Sequence, residues 1–195
     1  MIQFYGAPMS SAGRTHLMLE EVGVPYEFHR VNLRDEAARA EFLKLNPAGK
    51  IPYLVDGDFK LIESCAINFY LAEKYKPELM PTDLHERTRV YQWSFWALTN
   101  VQPDAIVVMF SMMRPNEAHG DIAAKKAHCQ RLLDYLESSL DGYLVGKRFT
   151  VADINAGSVV NLAQRVNAAT LGPKTTAWID GLRAREGWKK VAAQG

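Results

Sequence analysis

The feature that most constrains this chain is a proline that directly precedes a strand-like segment. Residues 53–55 (Tyr-Leu-Val) read as a strand, and the residue before them is Pro52. Proline has no N–H to give to a sheet, so Ile51-Pro52 indicates an extended segment that feeds a strand. The bond between them is also a candidate for the cis form, which would turn the backbone N–H and C=O of Ile51 outward. An extended peptide could then add to this edge through two main-chain hydrogen bonds.

A hairpin and a helix start follow this segment. Asp56-Gly57 predicts a tight turn into a second strand over residues 59–62. Glu63-Ser64 then opens a helix that we expect to run from Cys65 to about Tyr75. The first amides of a helix have no partner within it, and free amides of this kind bind carboxylates. An edge that binds a peptide main chain beside such amides predicts a site for a small acidic peptide.

The ordered set of short motifs in this stretch resembles the glutathione site of the cytosolic glutathione S-transferases. The motifs are Asn46-Pro47, Gly49-Lys50-Ile51-Pro52, Asp56-Gly57 and Glu63-Ser64-x-Ala66-Ile67. A single Ile-Pro pair would be uninformative, whereas the spacing of the whole set is a strong signal. The resemblance implies glutathione as a co-substrate.

Composition is that of an ordinary globular protein. The chain has 195 residues, of which 48% are hydrophobic, enough for one large or two small domains. Its formal net charge is +1, so no overall field favours nucleic acid or an anionic membrane. Two cysteines are too few for a disulfide framework, and the first residues lack the pattern of a secretory signal. No apolar run reaches the ~20 residues of a membrane-spanning helix. We expect a soluble, cytoplasmic protein without nucleic-acid or membrane partners.

The first part of the chain predicts a βαβ unit followed by a ββα unit. Residues 2–5 and 25–31 read as strands, and the residues between them have the apolar spacing of a helix. A return through a helix makes these two strands parallel. A charged helix at about residues 36–45 leads to the hairpin described above. This order is that of a thioredoxin-like fold, and the resemblance implies that residues 1–76 form the glutathione-binding domain.

The remainder of the chain predicts an all-α domain. Residues 77–84 contain two prolines and no apolar period, so they read as a linker to a helical domain over residues 85–195. A long apolar helix from about residue 84 to 114 should be kinked at Pro103. Further helices are expected at about residues 121–140, from residue 150, at 175–185 and at 187–193.

A capping box is predicted at the start of the helix after Thr150. Thr150 can cap the amide of Asp153, and the Asp153 side chain can reach back to Thr150. The segment also resembles the capping box that begins a buried helix in the helical domain of glutathione transferases. The resemblance therefore covers both domains, and the fold class is a thioredoxin-like βαβ-ββα domain followed by an all-α bundle.

A transferase must offer a hydrogen-bond donor to the glutathione sulfur, because the thiolate is the form that attacks electrophiles. Ser10 stands where serine-type members of the family, of the phi, theta and beta-like bacterial kind, carry their active-site serine. By itself, such a serine could equally cap the first helix. Ser11 could hold the same role one position later. Tyr5 resembles less closely the tyrosine of other members, and it also fits the core.

The resemblance implies six glutathione contacts, namely Lys50, Ile51, Pro52, Glu63, Ser64 and Arg39. Ser64 would hold the γ-glutamyl carboxylate and Glu63 the ammonium group, although a bare Glu-Ser pair could equally be a solvated helix cap. Lys50 could reach the glycyl carboxylate. Arg39 could assist from the second helix, but the basic residues of the family do not align well there.

The second substrate, an apolar electrophile, is expected between the two domains. Its candidate contacts are Met9, Trp96, Phe110 and Met113. Methionine surfaces adapt to varied apolar ligands, but a stripe of Met and aromatic residues is also typical of a plain core. The five histidines lack the spacing of a metal site, so no metal is expected.

The leading interpretation is a glutathione S-transferase that activates the glutathione thiolate for attack on an apolar electrophile. The same site could instead perform glutathione-dependent reduction, dehalogenation, ether cleavage or isomerisation. An alternative of another class is a noncatalytic binding or interaction module with this fold. The resemblance also implies a homodimer and a role in detoxification.

Overall fold

The computed structural model describes residues 1–8 and 10–193. Contacts divide the chain into two units. The first consists of Met1–Glu78 together with the chain from Arg185 onward, and the second is Leu79–Ala184. The break near residue 78 lies within the proline-containing segment that the sequence identifies as a linker.

The first part of the chain alternates strands and helices. Its elements are β1 (Ile2–Gly6), α1 (Ala12–Val22), β2 (Tyr26–Arg30), α2 (Glu36–Leu45), β3 (Tyr53–Asp56), β4 (Phe59–Ile62) and α3 (Ser64–Tyr75). The strands form one sheet in the order β2-β1-β3-β4. β1 and β2 are parallel, whereas β3 is antiparallel to both β1 and β4. The predicted βαβ-ββα order is therefore confirmed.

The second unit contains helices and no extended strand among its described residues. Its helices are α4 (Leu84–Trp96), α5 (Gln102–Met113), α6 (Ile122–Ser139), α7 (Val151–Arg165) and α8 (Pro173–Arg183). The last helix of the chain is α9 (Glu186–Ala193). Within residues 1–8 and 10–193, no helix is both long and apolar enough to cross a membrane.

A π-helical turn over Ala97–Val101 joins α4 to α5. The N–H of Gln102 donates to the carbonyl of Ala97, five residues earlier. Pro103 lies in the first turn of α5, directly after the π-helical turn, and has no N–H to donate to the carbonyls of that turn. The sequence predicted a kink at Pro103 itself. The interruption instead occupies the residues before it, because the wider turn accommodates the proline ring against the preceding helix.

The capping box of α7 is confirmed. Asp153 is fully buried, and its carboxylate accepts the N–H of Thr150 at 2.8 Å. The same carboxylate accepts the N–H of Leu144 at 3.1 Å and the indole N–H of Trp178 at 2.9 Å. Burial raises the pKa of Asp153, and these hydrogen bonds oppose the rise. The side chain thus joins α7, α8 and the loop before α7.

The helix α9 belongs to the first unit, which corrects the expectation that residues 85–195 form a single helical domain. Arg185 donates two hydrogen bonds to the carboxylate of Glu21 on α1, at 2.7 and 2.8 Å. Lys190 pairs with Glu20 at 3.1 Å. These ion pairs join residues more than 160 positions apart, so local sequence patterns could not reveal them.

Candidate functional site

The strand register of the first unit brings the predicted binding segments to one end of the sheet. Tyr53 of β3 lies opposite Tyr5 of β1 and Ile62 of β4. Beyond this row, β1 leads into the loop with the two candidate serines, β3 is preceded by Pro52, and β4 leads into Glu63. The start of α1, the Ile51-Pro52 segment and the start of α3 therefore meet at one place.

The Ile51-Pro52 peptide bond is cis. Pro52 is buried and Ile51 is half-buried. The carbonyl of Ile51 accepts the hydroxyl of Ser11 at 3.2 Å. Among the described residues, the Ile51 N–H has no hydrogen-bond partner. One of the two main-chain groups that the sequence predicts for peptide binding is thus available, and the other accepts a serine hydroxyl.

The two candidate serines have different hydrogen bonds. The Ser10 hydroxyl donates to the carbonyl of Ala7 at 2.7 Å and accepts the N–H of Ala12 at 3.1 Å. It therefore closes the turn that begins α1. The Ser11 hydroxyl instead contacts Ile51, forty positions away in sequence. The geometry brings Ser11 to the peptide-binding segment, whereas the sequence favoured Ser10.

The residue that begins α3 has an unusual backbone. Glu63 has φ 68° and ψ 110°, a region that residues other than glycine rarely adopt. Such conformations cluster at ligand clamps and active sites. The first intrahelical bond of α3 runs from the Ile67 N–H to the Glu63 carbonyl, so the amides of Ser64, Cys65 and Ala66 precede it. The side chain of Ser64 is buried, and its hydroxyl has no hydrogen-bond partner among the described residues.

A buried arginine and a cysteine lie beneath these two helix starts. Arg14 of α1 is 6% exposed, and its guanidinium group forms a hydrogen bond with the thiol of Cys65. The side-chain amide of Asn68 donates to the Arg14 carbonyl at 3.3 Å. Burial raises the pKa of Cys65 to about 11, although Arg14 acts in the opposite direction. The thiol faces the interior, so Cys65 is not a surface residue of α3. No pattern in the sequence distinguishes Arg14 from an exposed arginine.

Tyr5 belongs to an aromatic cluster of the first unit. Its ring stacks on His29 with centroids 4.5 Å apart and lies 5.6 Å from Tyr53. Its hydroxyl donates to the side chain of Gln3 at 2.9 Å. Burial, together with nearby Tyr53 and Glu27, raises the pKa of Tyr5. These contacts support a structural role for Tyr5 in the core.

Two basic residues predicted to contact glutathione are exposed. Lys50 lies in the turn before Ile51, and Arg39 lies on α2. Neither side chain forms a hydrogen bond within the part of the chain that the structure describes. Lys50 directly precedes Ile51, so it lies next to the site. Among the described residues, no hydrogen bond or ion pair joins Arg39 to the site.

The turn before Ile51 is held by Asn46, which the sequence analysis treated only as part of a motif. The Asn46 side chain donates to the carbonyl of Lys50 at 2.8 Å and accepts the N–H of Ala48 at 3.2 Å. A signal was available, because asparagine before proline is typical of turns.

The described residues predicted to contact the second substrate lie on two successive helices, α4 and α5. Phe110 and Met113 lie one turn apart on α5, and the Arg114 guanidinium is 5.2 Å from the centre of the Phe110 ring. Trp96 ends α4 and packs edge-to-face on Trp93, with ring centroids 5.2 Å apart. Met9 lies outside the described residues. Within residues 1–8 and 10–193, no group of three or more His, Cys, Asp and Glu side chains could hold a metal ion.

Two family models match the chain. The glutathione S-transferase N-terminal domain matches residues 1–73, and the glutathione S-transferase C-terminal domain matches residues 103–186. The chain belongs to the glutathione S-transferase family. Membership confirms the fold class and the assignment as a transferase that the sequence predicted.

Curated relatives and solved structures agree with this membership. The chain is 34% identical to glutathione S-transferase 3 of Zea mays, over 98% of the chain and 93% of the relative. It is 31% identical to the disulfide-bond oxidoreductase YfcG of Escherichia coli (strain K12), over 95% of the chain and 91% of the relative. A structure of glutathione S-transferase-I bound with lactoylglutathione superposes with a TM-score of 0.86 at 30% identity, covering 100% of this chain and 99% of that one.

Proposed function

We propose that this chain binds glutathione at the end of the sheet where α1, the Ile51-Pro52 segment and α3 begin, and that the bound thiolate attacks an apolar electrophile, forming a thioether as the leaving group departs. The observation that carries the proposal is the start of α3. The backbone of Glu63 there has a rare conformation of the kind that clusters at ligand-binding sites. The buried Ser64 offers a hydroxyl and an amide that have no other partner among the described residues.

Each part of glutathione has a chemically matched group in this arrangement. The γ-glutamyl carboxylate binds Ser64, and the ammonium group binds the carboxylate of Glu63. The cysteinyl main chain bonds the backbone of Ile51, as an added strand does. Pro52 fixes this segment, and Lys50 reaches toward the glycyl carboxylate. Arg39 is a weaker candidate, because no contact brings it to this end of the sheet.

Activation of the thiol requires preferential stabilisation of the thiolate. Lowering the thiol pKa by ~2 units takes about 2.7 kcal/mol. A hydroxyl donated to the thiolate contributes about 1.5–3 kcal/mol, and the N-terminus of a helix adds about 0.3–1 kcal/mol. One serine at the start of α1 is therefore sufficient. Ser10 is the first assignment from its position in the family, and Ser11 competes because its hydroxyl already lies against Ile51.

Comparing the two serine variants decides which hydroxyl contacts the sulfur. The pKa of bound glutathione is measured from thiolate absorbance, alongside turnover of an aryl halide. Ser10→Ala is expected to raise this pKa and lower kcat while leaving glutathione affinity nearly unchanged. If Ser11→Ala has this phenotype and Ser10→Ala does not, Ser11 is the donor. If neither variant changes the thiol pKa, activation by a serine is refuted.

The glutathione assignment itself is tested at α3. Ser64→Ala and Glu63→Gln are expected to raise the dissociation constant for glutathione, at about 1.5–3 kcal/mol for each charged hydrogen bond lost. Calorimetric titration measures the effect, and Glu73→Gln, on an exposed position of the same helix, is the matched control. Unchanged affinity in both site variants would exclude this site. Binding without turnover of any electrophile would instead favour the noncatalytic module.

A second candidate reaction is glutathione-dependent reduction of disulfides. It is favoured by the similarity to a relative named disulfide-bond oxidoreductase. Both cysteines of this chain are buried, so the reducing thiol would be that of glutathione. Parallel assays with an aryl halide and with a mixed disulfide of glutathione rank the two reactions. Dehalogenation, ether cleavage and isomerisation remain alternatives for the same thiolate.

The assembly proposed for this chain is a homodimer that acts in the cytoplasm, in detoxification. Exposed apolar side chains in both units support association: Phe59 and Ile62 on β4 are 48% and 40% exposed, and Leu84 and Phe95 on α4 are 71% and 53% exposed. Sedimentation of a micromolar sample in low and moderate salt tests this. A monomer would refute the dimer without affecting the glutathione assignment.

The second-substrate pocket is proposed on α4 and α5, with Trp96, Phe110 and Met113 as contacts. The half-buried Phe110 and the exposed Met113, one turn apart, support an apolar surface on α5. Substituting Phe110 with alanine is expected to raise KM for an apolar electrophile and leave KM for glutathione unchanged. An unchanged electrophile KM would remove Phe110 from the pocket.

A further inference from the structure

We infer that Asn46 is a positioning residue for glutathione: its side-chain amide fixes the peptide plane that presents the Ile51 N–H to the ligand. This inference rests on the proposed glutathione site and extends it to a residue that does not itself touch glutathione. Asn46 is 4% exposed, so its amide is a buried structural group.

Hydrogen bonds from Asn46 hold the turn that precedes Ile51. The Asn46 side chain donates to the carbonyl of Lys50 at 2.8 Å and accepts the N–H of Ala48 at 3.2 Å. The Asn46 carbonyl accepts the N–H of Gly49 at 2.9 Å. Gly49 has φ 62°, a conformation that favours glycine. The turn is therefore closed by one side chain at its first residue.

The chemistry of this turn requires an amide at position 46. The Lys50 carbonyl needs a donor and the Ala48 N–H needs an acceptor, and the asparagine side chain supplies both. Aspartate would keep the acceptor but direct a carboxylate oxygen at the carbonyl of Lys50. The backbone of Asn46 is extended, as the following Pro47 requires, which ends α2 and turns this side chain across the loop.

The link to the ligand runs through one peptide plane. The Lys50 carbonyl and the Ile51 N–H belong to the same planar unit and point in opposite directions. A hydrogen bond that holds the carbonyl toward Asn46 therefore holds the N–H away from it. That N–H has no partner among the described residues, and it is the main-chain donor assigned to glutathione in the proposed site. Without the Asn46 amide, the Lys50–Ile51 peptide plane can rotate, and the Ile51 N–H no longer points at the ligand.

The test compares Asn46→Asp with the wild type and with Asn155→Asp. Asn155 is a buried asparagine of α7 whose amide donates to Ser94 at 3.0 Å. Its substitution makes the same chemical change, a buried amide to a carboxylate, in the second unit and away from the proposed site. Asn46→Asp is expected to raise the dissociation constant and the KM for glutathione about five- to tenfold. The kcat at saturating glutathione should change less than twofold, and the pKa of the bound thiol by less than about 0.3. Asn155→Asp should lower stability and leave the glutathione KM unchanged.

A truncated ligand separates Asn46 from Lys50. Asn46→Asp is expected to weaken γ-glutamylcysteine by the same factor as glutathione, because Ile51 contacts the part they share. Lys50→Met should weaken glutathione alone. If Asn46→Asp does not fold, Asn46→Ala, which removes the donor without adding a charge, gives the same comparison.

The outcomes distinguish this inference from the proposed function. Normal glutathione affinity in a folded Asn46 variant, with a wild type that binds, would overturn the role of Asn46 alone. A loss of kcat or a raised thiol pKa in place of weaker binding would also overturn it. Failure of the wild type to bind glutathione would instead refute the proposed function and this inference with it.

Discussion

Substituting Asp56 with asparagine should destabilise the first unit by about 2 kcal/mol at neutral pH. Asp56 ends β3, and one of its carboxylate oxygens accepts three hydrogen bonds from α3. The donors are the Tyr70 hydroxyl at 2.8 Å, the Lys74 ammonium group at 2.7 Å and the Tyr75 hydroxyl at 2.5 Å. The side chain of Asp56 is 13% exposed and that of Lys74 is 45% exposed, so solvent screens the ion pair in part and its contribution is taken at the low end. An asparagine offers no charge to Lys74.

The magnitude follows from the pKa of Asp56. Burial acts to raise this pKa, but the bonds from Lys74, Tyr75 and Tyr70 outweigh it and lower the pKa from 3.8 to about 2. At 1.36 kcal/mol for each unit, the ionised form contributes about 2 kcal/mol of folding stability. Because the folded pKa is the lower one, this contribution is present above pH ~4 and is lost as pH falls toward 2.

Urea unfolding followed by circular dichroism measures this effect as a function of pH. The difference in unfolding free energy between the wild type and Asp56→Asn is expected to be about 2 kcal/mol at pH 7, and to fall to about half by pH 3. Asp58→Asn is the matched control, since Asp58 is an exposed carboxylate in the same hairpin.

Two results would refute this reasoning. The first is a difference below about 0.5 kcal/mol at pH 7, the range of ordinary surface substitutions. The second is an equal loss in Asp58→Asn, which would mean that the hairpin responds to charge in general and not to the cluster on α3.

Three further predictions concern buried or capping groups. Asp153→Asn places an amide N–H against donors in the interior and should cost about 2–4 kcal/mol in urea unfolding; a loss under about 1 kcal/mol would contradict the role given to the hydrogen bonds from Thr150, Leu144 and Trp178. Glu137 of α6 accepts the N–H of Thr175 at 2.8 Å and its hydroxyl at 2.7 Å, capping α8, so Glu137→Ala should cost about 1 kcal/mol and not be rescued by high salt. Burial raises the pKa of Cys65 and of Cys129 to about 11, so a disulfide reagent should modify both only after denaturation; fast labelling of the native protein would exclude their burial.

The boundaries of several elements were predictable because their signals are local. The sequence predicts α2 over residues 36–45, and the structure has Glu36–Leu45. Asp35 caps its first turn by accepting the N–H of Ala38 at 2.7 Å, and Pro47 prevents the helix from continuing. The Asp56-Gly57 hairpin was predictable for the same reason. Each signal acts within a few residues, so no knowledge of the fold was needed.

The candidate site was predictable in its parts but not in its contacts. The motifs around Pro52 and Glu63 located the two binding segments along the chain. The sequence could not say which hydroxyl of the Ser10-Ser11 pair faces Ile51, because adjacent residues at a helix start point in different directions. It also missed the role of the Asn46 amide: asparagine before proline indicates a turn, but the identity of the side chain does not reveal that its partner is the Lys50 carbonyl.

The sequence by itself determined the order of strands and helices, the extended segment before β3, the hairpin and the capping box of α7, since these depend on φ/ψ preferences and short-range hydrogen bonds. The tertiary structure alone decided that α9 packs on α1 through Arg185 and Glu21, that Asp56 joins β3 to α3, and that Ser11 contacts Ile51. Each of these contacts joins residues between 14 and 164 positions apart. Such pairs form because the folded sheet and its helices bring them within hydrogen-bond distance, and periodicity along the chain carries no record of that proximity.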